Sequence, residues 1–194
     1  AEAEDATNGR RLAVPRGRLL GGSSAINGLA FVRGQRQDFD TWAQLGNRGW
    51  SYAEVLPYFK KMEAYDGGGD DAFRGRDGPI RVTNPPAGDP LFQHLIRAAG
   101  EAGIRHNPDY NGAEQDGIAM SQASIAGGWG MSTAACSLEP IRRRENLRIE
   151  TGALARRLLV EGKRCVGIAY RQRGRDCELR AEREGILSGG AINS

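Results

Sequence analysis

Residues 16–63 read RGRLLGGSSAINGLAFVRGQRQDFDTWAQLGNRGWSYAEVLPYFKKME. The run Gly21, Gly22, Ser23, Ser24 breaks any regular element and opens onto the small and apolar residues 25–32, the pattern of a glycine turn feeding a helix. Such a turn gathers backbone N–H groups at the positive end of a helix, a setting that favours anions such as a diphosphate. It is neither GxGxxG after a strand nor GxxxxGK[ST], so a Rossmann fingerprint and a Walker loop are both absent. Taken alone, these residues equally permit a structural turn in which Gly21 and Gly22 only allow close packing.

Working outward, residues 37–45 predict a short helix carrying Phe39 and Trp42 and stopped by Gly46. Ser51 and Glu54 form a capping box, and Tyr52, Val55, Leu56, Phe59 and Met62 recur at helical spacing. Asp89 with Pro90 behind it predicts a second capped helix, ending near Gly103. Between them lie a glycine-rich loop over residues 66–78 and a strand over 80–83; beyond them come a loop over 107–117, a strand over 118–125 and a short helix over 132–138. From residue 147 the texture is that of strands, at 147–151, 155–160, 166–171 and 178–181, with turns at EGKR and RGRD: an antiparallel meander. Residues 185–190 predict a buried strand meeting a cofactor. The fold class is therefore α+β, helices plus an antiparallel meander, on a chain long enough for one modest core.

Composition narrows the classes. The 194 residues are 39% hydrophobic, with no apolar run of membrane-spanning length and no signal peptide in AEAEDATNGRR, which predicts a cytoplasmic chain without a transmembrane segment. Cys136, Cys165 and Cys177 lack metal or disulfide spacing and read as reduced thiols; no metal site is predicted. Residues 142–183 carry thirteen basic against six acidic side chains, which invites a nucleic-acid reading. With Tyr170 as the one aromatic of that stretch and no binding module, no nucleic-acid partner is predicted. His94 and His106 match no catalytic pattern. Asp38 and Asp40 read as helix-start carboxylates and not as an acid–base pair, and Trp42 and Trp50 as packing residues, with Trp129 left open.

The stretch from Arg16 to Glu63 as a whole resembles the first signature of the glucose-methanol-choline family of flavin-dependent oxidoreductases. The resemblance continues through DYNGAEQDG at residues 109–117, NLRIETGALARRLLVEGKRCVGIAY at 146–170 and ILSGGAINS at 186–194, and so covers nearly the whole chain. It implies the family's α/β FAD-binding fold in incomplete form, an internal fragment of the N-terminal FAD-binding domain with substrate-side loops and helices over about 64–145 and strands returning over 146–194. It lacks the N-terminal Rossmann unit and the C-terminal catalytic region.

The resemblance also implies FAD as cofactor. Gly21, Gly22 and Ser23 would lie near the ribityl and diphosphate, Asn27, Gly28, Leu29 and Ala30 near the flavin, and Ala155 would offer its backbone to adenine. Ile26 stands where some members carry a flavin-linking histidine, which implies a non-covalent flavin. The implied reaction is oxidation of a small-molecule alcohol by hydride transfer to flavin N5, with no catalytic base among these residues. Trp129, Met131 and Ser137 stand where an arginine and an aromatic are usual. The resemblance names neither the alcohol nor the electron acceptor, and a non-catalytic remnant or a module needing a partner segment is the alternative.

Overall fold

The computed structural model describes residues 5–86, 88–192 and 194, so residues 1–4 of the acidic start, Ala87, and Asn193 of the closing ILSGGAINS stretch lie outside the described residues. The chain divides into two units, Ala1–Arg143 and Arg144–Ser194, where its length had suggested one core.

In the first unit α1 spans Arg36–Gln44 and α2 spans Tyr52–Met62. Asp38 accepts the Gln35 N–H at 3.0 Å, and Glu54 accepts the Ser51 N–H at 3.0 Å and its hydroxyl at 2.5 Å, so both helices begin on a carboxylate that closes a capping box. Asp40 accepts the Tyr52 N–H at 2.9 Å and stitches α1 to the start of α2. Pro57 sits inside α2, where it removes only the bond to the carbonyl of Ala53, an exposed residue whose carbonyl water can satisfy. Phe39 is buried between the helices, with the rings of Trp42, Phe59 and Tyr52 centred 5.3, 5.5 and 6.3 Å away.

The strand β1, Glu63–Tyr65, follows α2 directly and pairs in parallel with β2, Ile80–Val82. A three-residue strand that starts on glutamate carries no period-two signal, and the sequence did not reveal it. The helix α3 spans Pro90–Glu101, with Asp89 accepting the Leu91 N–H at 2.9 Å. Residues 118–125, expected as one strand, pair only at single positions: Ala123 with Thr83 on one side and Ala30 on the other, and Ile118 with His106. A hairpin follows, β3 at Ile125–Ala126 against β4 at Trp129–Gly130. Residues 122–124 thus lie between the end of β2 and residues 29–31, and Val82, Tyr65 and Gln122 beneath them are buried.

The expected helix over residues 25–32 does not form. A 3-10 turn covers Gly22–Ala25, and beyond it the chain is extended. The Phe31 N–H bonds to the Gln122 carbonyl at 2.8 Å and the Leu29 carbonyl accepts the Ser124 N–H at 2.9 Å, so pairing with a distant segment prevails over local propensity. The short helix expected over 132–138 is one wide turn at Ala134–Leu138, continued by a 3-10 turn at Glu139–Ile141 that contains Pro140.

The second unit is an antiparallel meander of β5 (Ala153–Glu161), β6 (Arg164–Gln172) and β7 (Arg175–Arg180), with β6 in the middle. Its register sets Leu158, Ile168 and Leu179 in one row and Ala155, Tyr170 and Cys177 in another. On the alternate row Arg157 and Glu178 pair across Ala169, 3.7 Å apart. The fourth strand expected at 147–151 is absent; the Thr151 carbonyl bonds to the Gln172 side-chain amide at 2.9 Å instead of entering a ladder. Residues 185–190, expected as a buried strand, are neither: they form no strand, and Ile186 is 83% exposed.

Candidate functional site

The glycine turn is built by two contacts its composition allows. Gly17 passes so close to the Gly22 carbonyl that a Cβ at Gly17 would overlap it, and the Gly17 N–H donates to Ser23 Oγ at 3.2 Å. Gly21 has φ +87° and lies against Ala134, whose Cβ would be 3.2 Å from a Cβ at position 21. Both the left-handed backbone and the close neighbour therefore require glycine there. Ser24 Oγ donates to the Gly21 carbonyl at 2.6 Å and accepts the Thr133 N–H at 3.0 Å, which pins the turn to the start of the 134–138 turn.

Beyond the turn the chain presents an open surface. Asn27, Gly28 and Ala30 are exposed, and a Cβ on Gly22 or Gly28 would meet no protein atom within 4 Å. Leu29 lies among them with φ +62°, an unusual conformation for a residue with a Cβ, held by the bond of its N–H to Asn27 Oδ1 at 3.2 Å and by Ser124 on its carbonyl. Strain of about 1–3 kcal/mol persists only where the surroundings fix it, and it concentrates at ligand sites. The structure thus brings Gly21, Gly22, Ser23, Asn27, Gly28, Leu29 and Ala30 together on one stretch, although the Ser23 side chain turns inward to Gly17. Ala155 belongs to the second unit. It is exposed on β5, an outer strand of the meander, beside a register shift between Ala155 and Arg157. A bulge on an outer strand leaves backbone groups outside the ladder, as main-chain recognition of a ligand requires.

Beneath this surface lies a network of charges that the sequence reading did not assemble. Arg74 is almost wholly buried. Its guanidinium meets Glu63 at 3.0 Å, Asp109 at 2.6 Å and Gln122 Oε1 at 3.0 Å, and stands 3.6 Å over the Tyr65 ring centre. Arg33 Nη2 is 2.6 Å from the same Glu63, an ion pair whose N–H is not aligned as a hydrogen bond, and its Nη1 donates to the Phe73 carbonyl at 2.7 Å. Burial raises the Tyr65 hydroxyl above its ordinary pKa, with the Asp109 carboxylate adding to that and the Asn84 hydrogen bond opposing it. Arg33, Glu63 and Asp109 all stood inside quoted motifs, but a charge reveals its burial only through partners distant in sequence.

The other candidates fall to structural roles or to the surface. Asp38 and Asp40 are helix-end acceptors. Trp42 and Trp50 meet edge to face at 5.7 Å and stay about half exposed, with Trp42 also packed on the buried Phe39, so both are packing residues at the edge of the core. His94 is exposed and contacts Arg97, His106 is exposed, and Trp129 is 79% exposed on the hairpin. The three cysteines are free thiols, and no helix among the described residues is long and apolar enough to cross a membrane.

The turn, the left-handed leucine and the buried charge network together form an exposed stretch of backbone pinned from below. Comparison with known proteins supplies the family. The GMC oxidoreductase family matches residues 3–194, and the chain belongs to that family. It is 42% identical over 194 residues to the oxygen-dependent choline dehydrogenase of Rhizobium johnstonii and 41% identical to that of Sinorhizobium fredii, covering all of this chain and 35% of each relative. Among solved structures, pyridoxine 4-oxidase from Mesorbium loti superposes with a TM-score of 0.84 at 32% identity over 92% of this chain and 36% of that one. An FAD-dependent oxidoreductase from Chaetomium thermophilum does so with a TM-score of 0.85 at 25% identity over 94% and 34%. The chain therefore spans about a third of the length of these relatives, and it has the family's fold of helices with antiparallel strands.

Proposed function

We propose that the chain supplies part of the FAD cradle of an oxidoreductase acting on the CH–OH group of a small-molecule alcohol, with the flavin held without a covalent bond. One observation carries this reading: Leu29, at φ +62°, is held between the exposed Gly28 and Ala30, and among the described residues no atom lies within 4 Å of a Cβ placed on Gly22 or Gly28. The residues fit the group. Gly21, Gly22 and Ser23 would let backbone approach the ribityl and diphosphate, and Asn27, Gly28, Leu29 and Ala30 would lie against the ring system. Ala155 would present main-chain groups to adenine. The chemistry FAD would supply, when bound here, is acceptance of a hydride from the alcohol carbon. The chain's own part is to hold and orient the cofactor and to keep that face free of competing side chains; no histidine here is placed to take the alcohol proton. Residues 64–145 belong to the substrate side of the domain in this reading, and residues 146–194 return to the FAD side. The choline dehydrogenases among the relatives support an alcohol substrate, Ile26 in place of a linking histidine supports a non-covalent flavin, and the free thiols suit a reducing cytoplasm.

Gly28→Val tests the reading directly. Gly28 has ordinary φ and open space around it, so valine there meets neither strain nor a protein neighbour. With the chain exchanged into the R. johnstonii enzyme in place of the residues it matches, the variant keeps the melting temperature of its flavin-free form but purifies without yellow colour. A Gly28→Val protein with a full complement of FAD would remove the turn from the cofactor site. Gly22 is less suited, because its φ of +53° makes any β-branched replacement strained whether or not a ligand is near.

A further inference from the structure

We propose that Gln122 is a positioning residue for the flavin-facing stretch: its buried amide and peptide lock both sides of the Phe31 peptide and thereby hold Leu29 in its left-handed conformation. The proposal rests on the cofactor reading above and adds to it the part that shapes the cradle from below.

Three connections run from residue 122 to Phe31. The Gln122 carbonyl accepts the Phe31 N–H at 2.8 Å. The Gln122 N–H donates to Tyr110 Oη at 2.6 Å, and the Tyr110 hydroxyl in turn donates a hydrogen bond to the Phe31 carbonyl at 2.9 Å. Asn111 Nδ2 divides its two protons between Gln122 Oε1 at 2.8 Å and the Phe31 carbonyl at 3.0 Å. A tyrosine hydroxyl thus stands where a direct strand-to-strand bond would otherwise close, and both polar groups of the Phe31 peptide are taken from one side. Ser124, two residues on, takes the Leu29 carbonyl through its N–H and, at 3.3 Å, its hydroxyl.

The Gln122 amide cannot turn over. Its oxygen faces the Arg74 guanidinium, which only donates, and its Nε2 donates to Asp109 Oδ1 at 3.1 Å and to Tyr65 Oη at 3.2 Å. Glu63 and the Tyr65 ring hold Arg74 in turn. A cation on one side and a carboxylate on the other therefore set which end of the amide points to Asn111, and through Asn111 the orientation reaches Phe31. An apolar core would fill the same space without this directional command, which is the reason to assign the network a positioning role and not packing alone.

Gln122→Glu separates the two. The protonated carboxyl keeps the amide's directional bonds, its carbonyl accepting from Arg74 and Asn111 and its hydroxyl donating to Asp109, and gives up only the donation to Tyr65. The ionised carboxyl sets two negative oxygens against each other beside Asp109. Burial and Asp109 favour the protonated form, Arg74 opposes them, and Glu63, Tyr65, Tyr110 and Arg33 complete the set of titratable and charged groups around the site. In the exchanged enzyme, FAD affinity of Gln122→Glu is therefore near that of the parent at acid pH and weaker by roughly tenfold or more at alkaline pH, while the parent stays flat. Tyr110→Phe, which deletes only the hydroxyl relay, weakens FAD binding without pH dependence.

Asp40→Ala serves as the control, since it removes the acceptor of the Tyr52 N–H at the α1–α2 junction and touches no member of the clamp; it lowers the melting temperature and leaves FAD affinity in place. Affinities that merely track melting temperature across all three variants, or a pH-independent Gln122→Glu, overturn the proposal. Hydrogen exchange at the Phe31 amide of the 194-residue chain itself reads the clamp without flavin: protection is lost in Gln122→Glu at alkaline pH and regained at acid pH. Protection unchanged at alkaline pH overturns the proposal, whereas FAD retention in Gly28→Val fails the cofactor reading and leaves this exchange test standing.

Discussion

At the residue scale, the turn shows which features a sequence can carry. Gly21 is legible as a glycine needed for close approach or positive φ, and its φ of +87° and its contact with Ala134 give the reason, whereas the approach of Gly17 to the Gly22 carbonyl is not readable from the turn's composition. Leu29 is not legible, because leucine in the left-handed region contradicts its own propensity and is imposed by Ser124 and Asn27. Glu54 is a simple case with a pH consequence. Its carboxyl is held below its ordinary pKa first by the Ser51 hydroxyl and then by the Ser51 N–H. A depressed folded-state pKa contributes stability above the unfolded pKa and loses it as pH falls through the folded value. The capping contribution is therefore complete at neutral pH and disappears below the usual carboxylate range. Glu54→Gln is expected to lose that part of the acid dependence, read as a smaller drop in melting temperature between neutral and strongly acid pH than the parent shows.

At the element scale, local signals located the helices and distant partners decided the rest. Phe39, Trp42 and the Gly46 stop, the Ser51–Glu54 capping box with its apolar spacing, and Pro90 behind Asp89 placed α1, α2 and α3 to within about a residue at each end. The meander was legible because its two hairpins close over short turns, so pairing follows from neighbours in the chain. The strand β1, the single-position pairs of Ala123 and the extended run after the turn were illegible for one reason: each depends on residues tens of positions away. Residues 25–32 show the failure in the other direction, since their composition favours a helix that the Phe31–Gln122 and Leu29–Ser124 bonds forbid. The cap of α3 is a local matter and its removal is expected to act locally. Asp89→Ala deletes the acceptor of the Leu91 N–H and should cost about 1 kcal/mol, measured by denaturant unfolding, with the meander's hydrogen exchange unchanged.

At the scale of the whole molecule, surface area is the quantity that stands out. The chain exposes 14530 Å² at 21.0 kDa, whereas two independently compact bodies of that combined mass would expose about 10,600 Å². The difference, roughly 4,000 Å² by that scaling, is of the order buried by obligate protein interfaces. Among the described residues the apolar side chains that are buried are Phe39, Tyr52, Ala64, Tyr65, Val82, Cys136 and Leu159, while Trp42, Leu45, Trp50, Tyr58 and Met62 of the α1–α2 pair stay open to water. Trp50, Val55, Tyr58, Phe59 and Met62 line a hollow of about 460 Å³ on that pair. Exposed apolar side chains clustered in this way mark an interaction face, and the relatives are nearly three times as long as this chain. The 194-residue chain by itself is therefore expected to bind the dye ANS at neutral pH and to melt over a broad range, because dye binding reports accessible apolar surface and a small core weakens cooperativity. In the R. johnstonii exchange protein ANS fluorescence is expected to fall and the melt to sharpen. A chain that melts sharply without binding ANS would show that its own two units suffice as a cooperative fold, and would leave the open α1–α2 face without a structural demand for a cover.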